Sequence, residues 1–432
     1  MRTILPTRNR RLRLLAHTRQ IVGVMLPLGA GIGFLVALAL RGLGDFSPLV
    51  LQEGGKTHLT ILLPAIGLGL TTAWLSLTRI GEVSLFKDMD LARKDPYRVF
   101  PFRASIAKVV ACALTIGFGG SAGVEGPCKW FGAALGLQYH RLLRAASRRF
   151  SLFRRLARPP LVMVKGGAAA ALSAVFRAPI AGALMAAEHN GKLDPEALIP
   201  CLVAAASGFV FFASIMGHEP LLPMPHILVR LYGTREILWA LLLGFACGLA
   251  ANSYRWFQER LRKWLRPIPF HWRGLAAGAG LSLLALPGHF LWPDLPITQG
   301  GGLELIHHLL VGDPLANQAI FFLALKLAAT ALTFAGGGIG GLWLPSLAMG
   351  AAVGAAFDGW FGLGQTGYMT LVGASAMAGA THGTLLVPVV FLAETTGQAA
   401  LVVPALIGTT VSFLVAKERR APRQPEDGTT RP

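Results

Sequence analysis

The sequence predicts an all-α, polytopic membrane protein made of two related halves, an inverted-repeat bundle whose broken helices meet at the membrane midplane. Three observations lead there. Of 432 residues only 14% are charged and 53% are hydrophobic, at a mean hydropathy of +0.55, whereas soluble domains carry about 25% charged residues. Apolar runs near spanning length recur at 21–41, 58–78, 104–138, 159–187, 195–216, 236–253, 273–292, 316–363 and 366–416, several of them long enough for two segments, which predicts about ten to fourteen helices. Finally, Gly123, Pro127, Gly132, Ala133, Ala134 and Gly136 coincide with Gly341, Pro345, Gly350, Ala351, Ala352 and Gly354 at one offset of 218 residues. The runs Gly167 to Glu188 and Gly373 to Glu394 match in the same way: both are Gly/Ala-rich, and each is closed by a glutamate twenty-one residues on. Paired halves with broken helices are how secondary transporters build an ion site between facing helix starts.

In chain order, residues 1–20 form a basic segment containing Arg2, Arg8, Arg10, Arg11, Arg13 and Arg19. Residues 21–216 are the first membrane half, 217–416 the second, and 417–432 a short basic tail. The positive-inside rule makes both termini cytoplasmic, along with the loop from Lys87 to Arg103, and leaves the basic stretch Arg141 to Arg158 unassigned. The first apolar run is long and lacks a small-residue cleavage site, so a retained helix is expected rather than a signal peptide. Positive-inside bias also explains the net charge of +19, and no nucleic-acid partner is expected. The 52 glycines suit close helix packing and helices broken at membrane depth. Cys112, Cys128, Cys201 and Cys247 have no metal-like pairing and read as small apolar packers. No metal site or cofactor is expected.

The chemistry concentrates at Gly119-Gly120-Ser121-Ala122-Gly123-Val124-Glu125-Gly126-Pro127. Glu125 is the only acid between Asp95 and Glu188. A carboxylate at membrane depth costs roughly 3 kcal/mol and marks a functional site by default. Pro127 belongs in a first helical turn, so a helix should start between Glu125 and Pro127. Its free N–H groups and dipole then face an anion, with a titratable carboxylate at the same place.

These residues resemble the CLC family of chloride channels and proton/chloride exchangers. Gly123-Val124-Glu125-Gly126-Pro127 is similar to the family's Gly-Lys/Arg-Glu-Gly-Pro, and Gly341-Leu342-Trp343-Leu344-Pro345 to its Gly-x-Phe-x-Pro. Arg177 to Gly182 with Glu188, Gly300 to Leu303, and Glu394-Thr395-Thr396 resemble further segments, so the likeness runs from about residue 20 to 416. It implies a multi-pass inner-membrane homodimer with one pathway per subunit, transporting a small monovalent anion, chloride first. It also implies Glu125 as the gate, and anion binding by backbone N–H groups around Gly123, Val124, Gly126, Leu342, Trp343 and Leu344. Such donors replace water around a weakly hydrated anion without trapping it.

The departures bear on mechanism. The family's first anion motif, Gly-Ser-Gly-Ile-Pro, has no clean match in Thr78 to Leu85, where Ser84 is the stand-in for its ion-contacting serine. A last helix bearing the tyrosine that caps the inner side of the ion site is not expected, nor is a regulatory domain after it. His189 stands where exchangers have an inner glutamate, and becomes the proton-relay candidate. Trp343 replaces a Phe, and Val124 a cation. A passive channel, a proton-coupled exchanger and a fluoride or other-anion transporter all remain open.

An intramembrane serine hydrolase is the enzyme alternative, since Gly119 to Gly123 fits the G-x-S-x-G elbow with Ser121 as nucleophile. The elbow needs a strand before it and a partner histidine, and the flanks here read as helical, so no enzyme is expected. Gly336 to Gly341 fits a dinucleotide fingerprint, again with no strand before it. Lys108, Lys165, Arg177 and Lys326 read as snorkelling or buried-pair cations rather than path-lining ones.

Overall fold

The computed structural model describes residues 7–51, 61–80, 91–92, 94–151, 159–189, 192–222, 233–312, 314–363 and 367–418. The first half contains α1 (Thr7–Leu51), α2 (Leu63–Leu77), the single turn α3 (Pro96–Val99), α4 (Phe102–Gly117), α5 (Glu125–Arg149), α6 (Pro160–Phe176), α7 (Pro179–Ala187) and α8 (Pro195–Met216). The second contains α9 (Thr234–Leu265), α10 (Phe270–Leu291), α11 (Leu303–Val311), α12 (Ala316–Ala335), α13 (Trp343–Phe361), α14 (Tyr368–His382), α15 (Leu386–Thr396) and α16 (Val402–Glu418). A two-residue hairpin, β1 (Glu188–His189) against β2 (Lys192–Leu193), is the one sheet among the described residues.

Sixteen α-helices among the described residues exceed the expected ten to fourteen. The long apolar runs break more often than hydropathy suggests, at Gly119–Gly123, at Arg177-Ala178, at Gly336–Gly341 and on either side of α15. Only six helices are long and apolar enough to cross a membrane; α7 and α15 have 9 and 11 residues. Proline does not set these breaks alone, since Pro200 and Pro287 lie inside α8 and α10.

The glycine columns of the repeat are where helices touch. A Cβ at Gly132 would lie 2.4 Å from the Gly167 carbonyl oxygen, and one at Gly350 would lie 2.2 Å from that of Gly373. Gly136 meets Met163, and Gly354 meets Met369, as closely. The hairpins α5–α6 and α13–α14 therefore pack through the same contacts, and only a hydrogen at these positions lets their backbones approach.

Backbone freed at membrane depth must be satisfied inside the protein. Each half supplies the partner for the other. Thr115 Oγ1 accepts the Ile339 N–H at 3.1 Å, and Thr333 Oγ1 accepts the Ser121 N–H at 3.0 Å. Thr115 and Thr333, like Ile339 and Ser121, are separated by the repeat offset. Gly119 and Gly337, at the same offset, both turn with positive φ, +88° and +97°, which glycine adopts without steric cost.

Candidate functional site

α5 begins at Glu125 and α13 at Trp343, each with its proline in the first turn. The loops entering them cross and pair. Gly123 N–H donates to the Gly341 carbonyl at 2.9 Å and Gly341 N–H to the Gly123 carbonyl at 2.6 Å. Repeat-equivalent residues thus join the halves, bringing two helix N-termini with their positive dipole ends to one point.

Glu125 fills that point. It is 2% exposed, and its Oε1 accepts the Leu344 N–H at 2.9 Å. The backbone N–H groups of Glu125 and Trp343 also act on the carboxylate, whereas Oε2 is buried without a hydrogen-bond partner. Glycine makes the room. A Cβ at Gly123 would lie 1.9 Å from Oε2, and one at Gly341 would lie 2.5 Å from Oε1. Gly126 packs on the Gly341 backbone, a Cβ there falling 2.9 Å from its Cα. Chemically this is a cradle of peptide donors for one negative charge, holding the chain's own carboxylate.

Val124 and Leu342 precede the two helices as their N-cap residues, without side-chain caps. The Trp343 side chain leaves the cradle for an aromatic box, stacked on Phe176 with ring centroids 5.4 Å apart and edge-on to His382 and Phe391 at 5.0 and 5.7 Å. It is 0% exposed, and its indole N–H has no hydrogen-bond partner. Ser84 lies outside the described residues. His189 pairs with Lys192 in the β1–β2 hairpin; its side chain lies outside what is described.

The other singled-out residues hold the scaffold. Ser121 is buried, its hydroxyl 2.9 Å from that of Thr330, and helix α4 rather than a strand precedes its loop. That is not the setting of a nucleophile elbow. Lys165 pairs with Asp194, the N-cap of α8. Lys326 donates to the carbonyls of Gln299 and Gly300 at 2.8 and 2.9 Å. Lys108 lies 4.0 Å over the Trp130 ring, and Arg177 donates to the Glu219 carbonyl at 2.7 Å.

Residues 68–417 match the profile of a family described as voltage gated chloride channel. The chain belongs to that family. Among curated relatives it is 28% identical over 316 residues to an uncharacterised protein of Methanocaldococcus jannaschii, covering 72% of this chain and 74% of that one. It is 27% identical to a putative ClcB-like chloride channel protein of Ralstonia nicotianae, covering 75% and 74%. Against the ClcA H(+)/Cl(-) exchange transporter of Vibrio cholerae the figures are 26% identity, 70% and 64%. The fold matches a CLC-type fluoride/proton antiporter with a TM-score of 0.72 at 24% identity, covering 92% of this chain and 95% of that one. It matches a slow cyanobacterial Cl-/H+ antiporter with a TM-score of 0.76 at 20%, covering 92% and 94%.

In this CLC chain the glutamates closing the matched runs do something that sequence reasoning missed. Glu188, at the end of α7, accepts the Leu385 N–H at the start of α15 at 2.9 Å. Glu394, in the last turn of α15, accepts the Ile180 and Ala181 N–H groups at the start of α7 at 3.0 and 2.7 Å. Each short helix is capped from the other half, which fixes their relative position beside the Trp343 box. The equal glutamate spacing signalled equivalence, and the missing caps of α7 and α15 were the signal for the role.

Proposed function

We propose that this multi-pass membrane protein moves a small monovalent anion, chloride first, across the inner membrane through the cradle between α5 and α13, with Glu125 as its gate. The observation that carries the reading is the Glu125 carboxylate held by the Leu344 N–H between two helix starts. A chloride ion suits the same donors, so carboxylate and anion compete for one place. The carboxylate is held on one side only, Oε2 having no partner, so leaving the cradle breaks one protein hydrogen bond. Protonation removes its charge and so weakens its hold on the N–H groups.

The groups assigned to anion binding are the backbones at Gly123, Val124, Gly126, Leu342, Trp343 and Leu344, with Ser84 as the hydroxyl contributor and His189 as the proton-relay candidate. The protein acts as a homodimer with one pathway per subunit, as its family resemblance implies, and as a transporter rather than an enzyme.

The test is purified protein in liposomes loaded with chloride, fluoride or nitrate, following anion efflux and proton uptake together. Chloride efflux well above empty liposomes is expected. Flux no greater than that of empty liposomes for all three anions would sink the reading, and fluoride alone would reassign the substrate.

A further inference from the structure

The turn joining α9 to α10 gathers four cations around one hollow. Arg262, Lys263 and Arg266, at the end of α9, and Arg273, in the first turn of α10, line a cavity of about 370 Å³ with no acid among them. We propose that this hollow binds the phosphate headgroup of an anionic phospholipid.

Converging like charges repel unless an anion joins them. Positive-inside bias requires basic residues on a cytoplasmic loop, but it does not require them to line a common cavity. The cavity is also fixed in shape. Arg273 reaches the Arg266 and Ile268 carbonyls at 3.5 Å each, and its guanidinium lies 5.6 Å over the Phe270 ring. Forked guanidinium donors match phosphate oxygens two at a time.

Position selects lipid over a soluble phosphate. Asn252 and Arg255 donate to the Val415 and Ala416 carbonyls at 3.2 Å each, which sets them beside the end of α16 and its basic tail. From Arg255, α9 continues ten residues to Leu265, about 15 Å further. With 32 residues, α9 is about 48 Å long, against about 30 Å of hydrocarbon. Its end therefore lies at headgroup level. Trp256, Trp264 and Trp272 surround the turn at 60%, 76% and 57% exposure, as indoles do at a membrane interface. Exposed Leu275 and Leu283 continue an apolar surface along α10 for acyl chains. A free phosphate has no use for either feature.

Native mass spectrometry of the full-length protein in detergent, titrated with cardiolipin, phosphatidylglycerol, phosphatidylcholine or inorganic phosphate, tests the proposal. The two anionic lipids should bind and phosphatidylcholine should not. The Arg262→Gln/Lys263→Gln/Arg266→Gln variant, which keeps Arg273 to hold the turn, should bind cardiolipin about a hundredfold more weakly. Its chloride efflux from phosphatidylcholine liposomes should be unchanged. Should the triple variant not fold, Arg266→Gln alone should weaken binding about fivefold. Unaltered cardiolipin affinity in either variant overturns the proposal, as does displacement of cardiolipin by millimolar inorganic phosphate.

Discussion

Replacing Glu125 by Gln removes one charge from the cradle and nearly nothing else. An anion taking the Leu344 N–H from the carboxylate, which now holds it at 2.9 Å, would lie about 4 Å from that carboxylate if it stayed nearby. Two unit charges at that distance repel by about 4 kcal/mol at an effective dielectric near 20, roughly a thousandfold in occupancy. A glutamine fits the space that Gly123 and Gly341 leave open, but it accepts the N–H without charge assistance and does not repel chloride. Chloride efflux from liposomes, measured from about pH 4.5 to pH 7.5 to span carboxylate titration, should rise with acidity in the parent. In Glu125→Gln it should be high and flat, with parental thermal stability. If Glu125 only caps α5, the variant instead loses modest stability and keeps the parental pH profile. Efflux from Glu125→Gln that climbs with acidity as in the parent would refute the gate.

Trp343→Phe should change the order in which fluoride, chloride and nitrate pass, because the ring follows directly on cradle backbone; an unchanged order and rate would leave Trp343 a packing residue of its box. A chloride gradient should drive little or no proton uptake, since a histidine stands at the relay position; stoichiometric uptake would overturn that, and His189→Ala should then abolish uptake while sparing anion flux. Gly350→Val places a Cβ 2.2 Å from the Gly373 carbonyl oxygen and should cost roughly 3 kcal/mol by overpacking, read as a clear drop in melting temperature; parental stability would refute the close helix contact.

How far the sequence could be read depended on whether a feature was local or joined the halves. Glu125 was legible because a lone acid ahead of Gly-Pro in an apolar run has few other uses, and the helix does start there. The glycine offset was legible because close packing admits one residue type. Thr115 and Thr333 lie on that same offset, but threonine is unremarkable on an apolar helix, and its role appears only when the opposite loop's N–H arrives. The helix count failed for the same reason. A chain can break at membrane depth wherever its freed groups find partners, and here those partners sit two hundred residues away, as Ser121 on Thr333 shows.

The cradle and its surroundings differ in the same respect. Backbone donors at Leu342 to Leu344 follow from a proline and a helix start, so they could be placed without knowing any neighbour. The Trp343 ring could not, because its environment comes from α6, α14 and α15 at once, through Phe176, His382 and Phe391. Two of those three helices belong to the second half and one to the first, and reciprocal capping by Glu188 and Glu394 sets α7 against α15. A change at either glutamate is therefore expected to be felt in the box around Trp343 before it is felt at Glu125, whose own supports, Gly123, Gly341 and Leu344, do not involve α7 or α15.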